Sequence, residues 1–288
     1  MEKIIIIPLG GLGTRFKNTG YNLPKPLINV MGQPIIYWLL YNLDLTEIKY
    51  VYIPYNKELK KYNFEQRLIK DFPNINFKFF CLENNTRGAA ETIKISLDHL
   101  NLKNDVHIMS IDSDNFYTEN FINEWDGKNM VVSFEDHYSE PVFSYLKFDE
   151  NNIITDIKEK DKISNNACSG VYAFESSFQL LQTCNYIIEN NITEKNEFYM
   201  SVVIKQMISQ DKMFRNKTIN KSNYHCLGTP LQVKLFCNDF DNLSKKLNKK
   251  IVKLKRYCFD LDNTLVTYPS IKDDYTTVEP IKKKYRHG

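Results

Sequence analysis

Five residues that could hold a phosphate lie within a short stretch near the start of the chain: Gly10, Gly11, Gly13, Arg15 and Lys25. Closely spaced glycines let backbone N–H groups line a concavity that no Cβ enters, and such a concavity binds phosphate oxygens. Arg15 adds a planar fork for the same anion, and Lys25 adds a point charge. Pro24 and Pro26 fix φ on both sides of Lys25, so a stiff backbone sets where its ammonium points. The plainer alternative is a strand and turn with surface cations, which does not account for all five features together. Neither common phosphate motif fits. There is no GxxxxGK[ST], and Phe16 stands where a dinucleotide fingerprint wants its third glycine.

Two further clusters carry charge. Asp112-Ser113-Asp114-Asn115 follows the apolar run Val106–Ile111. Alternation puts Asp112 and Asp114 on one side of the chain. Two hard oxygen donors at a strand end suit Mg²⁺, which takes one or two carboxylates and leaves its other positions to substrate phosphates and water. A simple turn is the alternative, since Asp, Ser and Asn all favour turns. Lys158, Glu159 and Lys160 end another strand and by themselves read as a solvated face.

Positioning these groups requires strands that end where they begin. Ile4–Ile7 reads as a strand covered on both faces. A buried helix follows over Gln33–Asn42, then strands at Tyr50–Pro54 and Asn76–Leu82, with an amphipathic helix over Lys57–Asp71 between them. A helix opens near Gly88 with Ile93, Leu97 and Leu100 on one face. Strands alternating with helices predict a Rossmann-like α/β fold with a mostly parallel central sheet and helices on both faces. Ligands in such sheets sit beyond the carboxyl ends of the strands, where the glycine turn, Gly88 and the aspartate pair all fall. From Asn129 to Phe174 short strands dominate and predict a smaller mixed-sheet extension. Two helices follow, Ser176–Glu189 and Glu197–Ser209, the second with Met200, Val203 and Met207 at core spacing. Two short strands and a helix from Leu231 complete this part of the chain.

The bulk numbers exclude several classes. The chain has 288 residues, 42% of them hydrophobic and 13% aromatic, enough for a sizeable core. No apolar run approaches the ~20 residues of a membrane span, and the N-terminus is too short and too acidic for a signal peptide. Cys81, Cys168, Cys184, Cys226, Cys237 and Cys258 are scattered with no CxxC pair, so reduced thiols in a cytoplasmic protein are expected. Net charge is +3, but Leu243–Arg256 alone holds seven Lys/Arg and no acid, leaving 31 basic against 35 acidic residues elsewhere. No nucleic-acid face and no membrane contact are expected of the main domain, and homo-oligomerisation is left open.

The segment GGLGTR…PKPL resembles the signature of the sugar-1-phosphate nucleotidyltransferases, the nucleoside-diphosphate-sugar pyrophosphorylases. The resemblance spans about residues 3–235. It implies that an NTP and a phosphorylated small molecule, first of all a sugar 1-phosphate, give an NDP-sugar and pyrophosphate, with Mg²⁺ as cofactor. It further implies a nucleotide site of Leu9, Gly10, Gly11, Gly13, Thr14, Arg15, Gly88, Ala89, Ala90 and Asp112. Arg15, Lys25 and Lys160 are the implied catalytic groups, and Asp114, with Asp112 second, the metal ligands. The segment Lys158–Phe174 is similar to the family's EKP…tGiYvF, which makes Glu159, Lys160 and Gly170 acceptor-binding, with Asp161 where the proline would stand. Glu197 resembles a glutamate that opens a late helix and touches the acceptor. Glu91 could read an amino group of the base or serve its own helix. Tyr224–Pro230 resembles W-x-D-x-GTP with Cys226 in place of a metal-binding aspartate. That departure keeps a non-catalytic nucleotide-binding domain in view. The Asp112–Asn115 segment equally resembles cytidylyltransferases acting on phosphocholine or another phospho-alcohol. Finally, Cys258–Leu265 resembles the DxDxT start of haloacid-dehalogenase-like phosphatases, with Asp260 and Asp262 as its acids. The implied division is a transferase domain at 1–242, a basic linker at 243–256 and a truncated phosphatase fragment, inactive by itself, at 257–288.

Overall fold

A computed structural model describes residues 1–11 and 13–246. Asp260, Asp262 and most of the basic stretch 243–256 lie outside the described residues.

Four consecutive isoleucines form the first strand because both of its faces are covered. Ile4 and Ile6 of β1 (Lys3–Ile6) belong to one hydrophobic cluster, and Ile5 and Ile7 to another. The chain then runs through α1 (Thr14–Lys17), a 3-10 turn at Lys25–Leu27, the two-residue strands β2 (Asn29–Val30) and β3 (Gln33–Pro34), and α2 (Ile35–Tyr41). β4 (Tyr50–Asn56), α3 (Phe64–Asp71), β5 (Phe77–Leu82), α4 (Ala89–Leu100), β6 (His107–Ile111) and β7 (Asn115–Tyr117) follow. Next come β8 (Met130–Glu135), β9 (Ser144–Phe148), β10 (Ile154–Glu159), β11 (Asn166–Phe174), α5 (Ser177–Glu189) and α6 (Met200–Ile208). β12 (Arg215–Thr218), β13 (Tyr224–Cys226) and α7 (Pro230–Lys246) complete the described chain.

Among the described residues the main sheet has nine strands, in the order β10-β9-β11-β6-β1-β4-β5, with β8 on β11 and β12 on β8. β6, β1, β4 and β5 run parallel, and β11 lies antiparallel to β6. The fold is therefore the expected α/β class. Helices α2 and α3 supply Ile36, Leu39 and Leu68 to the cluster of Ile5 and Ile7. Helices α4, α5 and α6 supply Ile93, Leu180 and Val203 to that of Ile4 and Ile6.

The antiparallel extension is continuous with this sheet. β11 is nine residues long and pairs with β6, β8 and β9, so the short strands hang from it. Its pairing with β8 shifts register between Cys168 and Val171, a bulge that bends the strand beside Gly170. Two boundaries differ from expectation. The helix expected over Lys57–Asp71 is split, because Asn63 takes a left-handed φ of 52° between a 3-10 turn and α3. The helix expected from Glu197 begins at Met200, because the backbones of Glu194 and Glu197 bond to each other and Phe198 bonds elsewhere. Strand β7 went unanticipated. It pairs with β13 and brings the Cys226 segment against Asn115.

Candidate functional site

The ammonium of Lys25 donates to Asp114 Oδ2 at 2.7 Å. Eighty-nine residues separate the two in sequence. The proline-flanked turn Lys25–Leu27 delivers one, and the connection between β6 and β7 the other. Both side chains are mostly covered, at 24% and 19% exposure. Gly13 makes the approach feasible. It adopts a left-handed φ of 63°, and a Cβ on it would lie 3.0 Å from Cβ of Lys25.

The three glycines of the first loop have different surroundings. A Cβ on Gly10 would collide with Thr86 Oγ1 and lie 2.7 Å from Thr92 Oγ1, so Gly10 lets the loop rest on the Gly88 segment. A Cβ on Gly11 would meet nothing within 4 Å, and Gly11 is where the loop opens. Leu9 is buried. Its N–H donates to Pro54 O and its C=O accepts from Asn56 N, so it extends the sheet and offers a ligand no backbone donor. Thr14 and Arg15 are exposed at the start of α1.

Asp112 stands beside Asp114. Burial, and then the Asp114 charge, push the Asp112 carboxyl up to about 8. Its N–H donates to Gly170 O at 2.8 Å. Gly170, at φ 86°, is buried beneath it, and a Cβ there would lie 2.7 Å from Asp112 Oδ2 and 2.5 Å from Asn115 Nδ2. Gly170, expected to be acceptor-binding, thus packs against the carboxylates. Asn115 is fixed by donating to Ser169 O and accepting from Tyr224 OH. Leu227 N donates to Asp114 O at 2.7 Å, so the Cys226–Gly228 segment closes on the aspartates. Burial and Asp114 push the Cys226 thiol up to about 11, which keeps it neutral at pH 7.

On the next strand end, Gly88 precedes α4 at φ 148°, with Ala89 and Ala90 in the first turn. A Cβ on Gly88 would lie 2.5–2.9 Å from the backbone of Phe198. Phe198 N donates to Arg87 O, and Ala90 N donates to Phe198 O. Glu91 accepts from Arg87 N at 2.6 Å and from the Arg87 guanidinium at 2.5 and 2.9 Å. It therefore serves its own helix start.

Lys160 has a left-handed φ of 48°, and its N–H is anchored on Phe143 O. Its ammonium donates to Tyr199 OH at 2.7 Å and lies 3.6 Å from Glu159 Oε1. Glu159 is buried at 7% exposure, and Oε2 accepts from both Ser144 and Ser201. Contrary to expectation, that oxygen faces inward and not toward an acceptor. Glu197 is exposed in a loop whose backbone pairs with Glu194, and α6 begins only at Met200, so it opens no helix.

The model of the family described as nucleotidyl transferase matches residues 4–221. The chain belongs to the nucleotidyl transferase family. The bifunctional protein GlmU of Methanococcus aeolicus is 26% identical over 216 residues, covering 72% of this chain and 47% of that one. The chain thus spans about half the length of the curated relatives it matches. The nucleoside-diphosphate-sugar pyrophosphorylase from Vibrio cholerae superposes with a TM-score of 0.67 at 17% identity, covering 82% of this chain and 99% of that one. The CTP:phosphocholine cytidylyltransferase of Streptococcus pneumoniae gives 0.65 at 17% identity, covering 83% and 100%. Both show the same fold.

Within this family member, the donor chemistry at Asp112 and Asp114 fits Mg²⁺. Burial and the neighbouring Asp114 charge both disfavour the ionised form of Asp112, and a divalent cation would offset both. No group of three or more His, Cys, Asp or Glu converges among the described residues, so the remaining ligands must be phosphate oxygens and water. Sequence reasoning missed Tyr199 and Ser201 as partners of Lys160 and Glu159, and Phe198 as the partner of Gly88. The one available signal was Tyr199, two residues after Glu197. Nothing in composition marks which aromatic will meet a lysine 39 positions earlier.

Proposed function

We propose that the chain transfers a nucleotidyl group from an NTP to the phosphate of a sugar 1-phosphate, releasing pyrophosphate. The observation that carries this reading is the meeting of Lys25 with Asp114 beside Asp112, next to Gly13 of the glycine loop. With a divalent cation on the carboxylates, such a cluster would neutralise a triphosphate at its innermost phosphorus. Gly11, Gly13, Thr14 and Arg15 would take the β- and γ-phosphates, and the backbone at Gly88–Ala90 the base. Lys25 would leave Asp114 to meet the α-phosphate. Asp114 and Asp112 would hold Mg²⁺, which when bound screens the phosphate oxygens against one another. Lys160 would draw in the acceptor's phosphate, whose oxygen attacks the α-phosphorus in line as pyrophosphate leaves. Little covalent work falls to the protein, so position and charge dominate, and each preorganised contact is worth on the order of 10²–10³ in rate.

The same machinery would serve a phospho-alcohol such as phosphocholine, and the Asp112–Asn115 segment resembles that branch too. A non-catalytic nucleotide-binding domain is the third reading, motivated by the neutral Cys226 where the family resemblance expects an aspartate. A panel of the four NTPs against sugar 1-phosphates, phosphocholine and inositol phosphate, read as pyrophosphate with Mg²⁺ present, separates the three. Release with a sugar 1-phosphate is expected. Release with only a phospho-alcohol moves the acceptor to that class, and tight NTP binding without release under any acceptor overturns the transferase.

A further inference from the structure

Lys160 has three N–H donors. One is spent on Tyr199 OH at 2.7 Å, and Glu159 Oε1 lies 3.6 Å from the same nitrogen. The same ammonium lies 4.6 Å from the Tyr199 ring centroid. Burial and then the Glu197 carboxylate raise the Tyr199 phenol, and the charge of Arg15, which belongs to the phosphate loop, acts on it in the opposite sense. The backbone neighbour Phe198 is clasped to Arg87 O and Ala90 N, and the Arg87 guanidinium lies 4.7 Å from the Phe198 ring centroid. The adjacent residues Phe198 and Tyr199 thus connect the Gly88 segment with Lys160.

We propose that Tyr199 is a positioning residue that fixes the Lys160 ammonium for the phosphate of the acceptor. This rests on the nucleotidyl-transfer reading above. The phenol oxygen accepts from Lys160 while keeping its own O–H. Burial, with Glu197 next, holds that O–H well above its usual titration range. One of the lysine's three donors is thereby directed, and the others are left for phosphate oxygens. The left-handed backbone of Lys160, a conformation that side-chain-bearing residues seldom adopt, accompanies this contact.

The test is Tyr199→Phe, which keeps the ring and removes the oxygen. Acetylation of the Lys160 amine by a water-soluble reagent, followed by mass spectrometry on the substrate-free folded chain, reads the contact without turnover. The variant is expected to be labelled several-fold faster at Lys160 and unchanged at Lys217. In pyrophosphate release, the acceptor KM is expected to rise about 10-fold, with the NTP KM within about twofold and kcat largely kept, because the lost interaction acts on bound acceptor and transition state alike. Equal labelling of Lys160 in both proteins overturns the proposal. So does a fall in kcat with the acceptor KM unchanged. If the wild type releases no pyrophosphate with any pair, the transfer reading fails, and the labelling result still decides whether Tyr199 holds Lys160. Tyr199→Leu, checked for an intact melting transition, removes ring and oxygen together. It is expected to exceed Tyr199→Phe in both readouts.

Discussion

At the scale of single residues, Asp112 and Cys226 decide how the aspartate cluster behaves without a ligand. Asp112 titrates near 8 in the folded chain and near the ordinary carboxylate value when unfolded. The folded form therefore holds a proton that the unfolded form has lost, and stability falls as pH rises from about 4 to about 8. Asp112→Asn removes that dependence. The variant is expected to melt a few degrees above the ligand-free wild type at pH 8.5, with the gap closing toward pH 4.5. Matching melting curves at both pH values would contradict the burial argument. Cys226 contributes no charge at pH 7, so the metal side rests on two carboxylates. Cys226→Asp is expected to lower the Mg²⁺ concentration for half-maximal rate about 10-fold, a hard oxygen replacing a soft neutral thiol. An unchanged requirement would place Cys226 outside the ligand sphere. These two aspartates and Lys25 were legible in the sequence, because each is announced by its immediate neighbours: a strand before the aspartates, prolines around the lysine. Glu159 was legible only as a charge. Its burial against Ser144 and Ser201 depends on residues 15 positions before it and 42 after it, and no local pattern encodes such a meeting.

At the scale of elements, the bulge in β11 and the connection β6–β7 hold the carboxylates. Gly170 sits in that bulge, with its carbonyl on Asp112 N. Gly170→Ala forces a Cβ into Asp112 and Asn115 at a φ of 86°. The expected cost is about 1–3 kcal/mol of stability together with a lowered rate, read as a drop in melting temperature and in pyrophosphate release. A variant with wild-type melting would show that the bulge yields and that Gly170 does not brace Asp112. The strands of this region were legible from their β-branched runs, to within a residue or two at their ends. Their joining into the main sheet was not, because pairing through β11 is a long-range choice between partners of similar composition. The break at Asn63 hides for another reason. Lys57–Asp71 has helical spacing throughout, and only the left-handed backbone at Asn63 interrupts it.

At the scale of the molecule, Lys25, Asp112–Asn115, Gly170 and Cys226–Gly228 meet although they are far apart in sequence. The α/β class and the helices on both faces follow from the alternation of apolar strands and amphipathic helices. The charge does not mark the site, since net charge is only +3 and the cations that matter are three among 38. Residues 1–247 cluster as one unit, and a chain ending at Leu247 is expected to keep its pyrophosphate release. Loss of release on that truncation would show that the remaining residues contribute to the reaction. The account depends above all on Lys25 exchanging Asp114 for the innermost phosphate of a bound NTP. Steady-state pyrophosphate release by Lys25→Ala, with a productive NTP and acceptor pair, tests this most directly. A fall of about 10²–10³ with the melting temperature within a few degrees of wild type is the expected result. Release at the wild-type rate by a folded Lys25→Ala chain would contradict it.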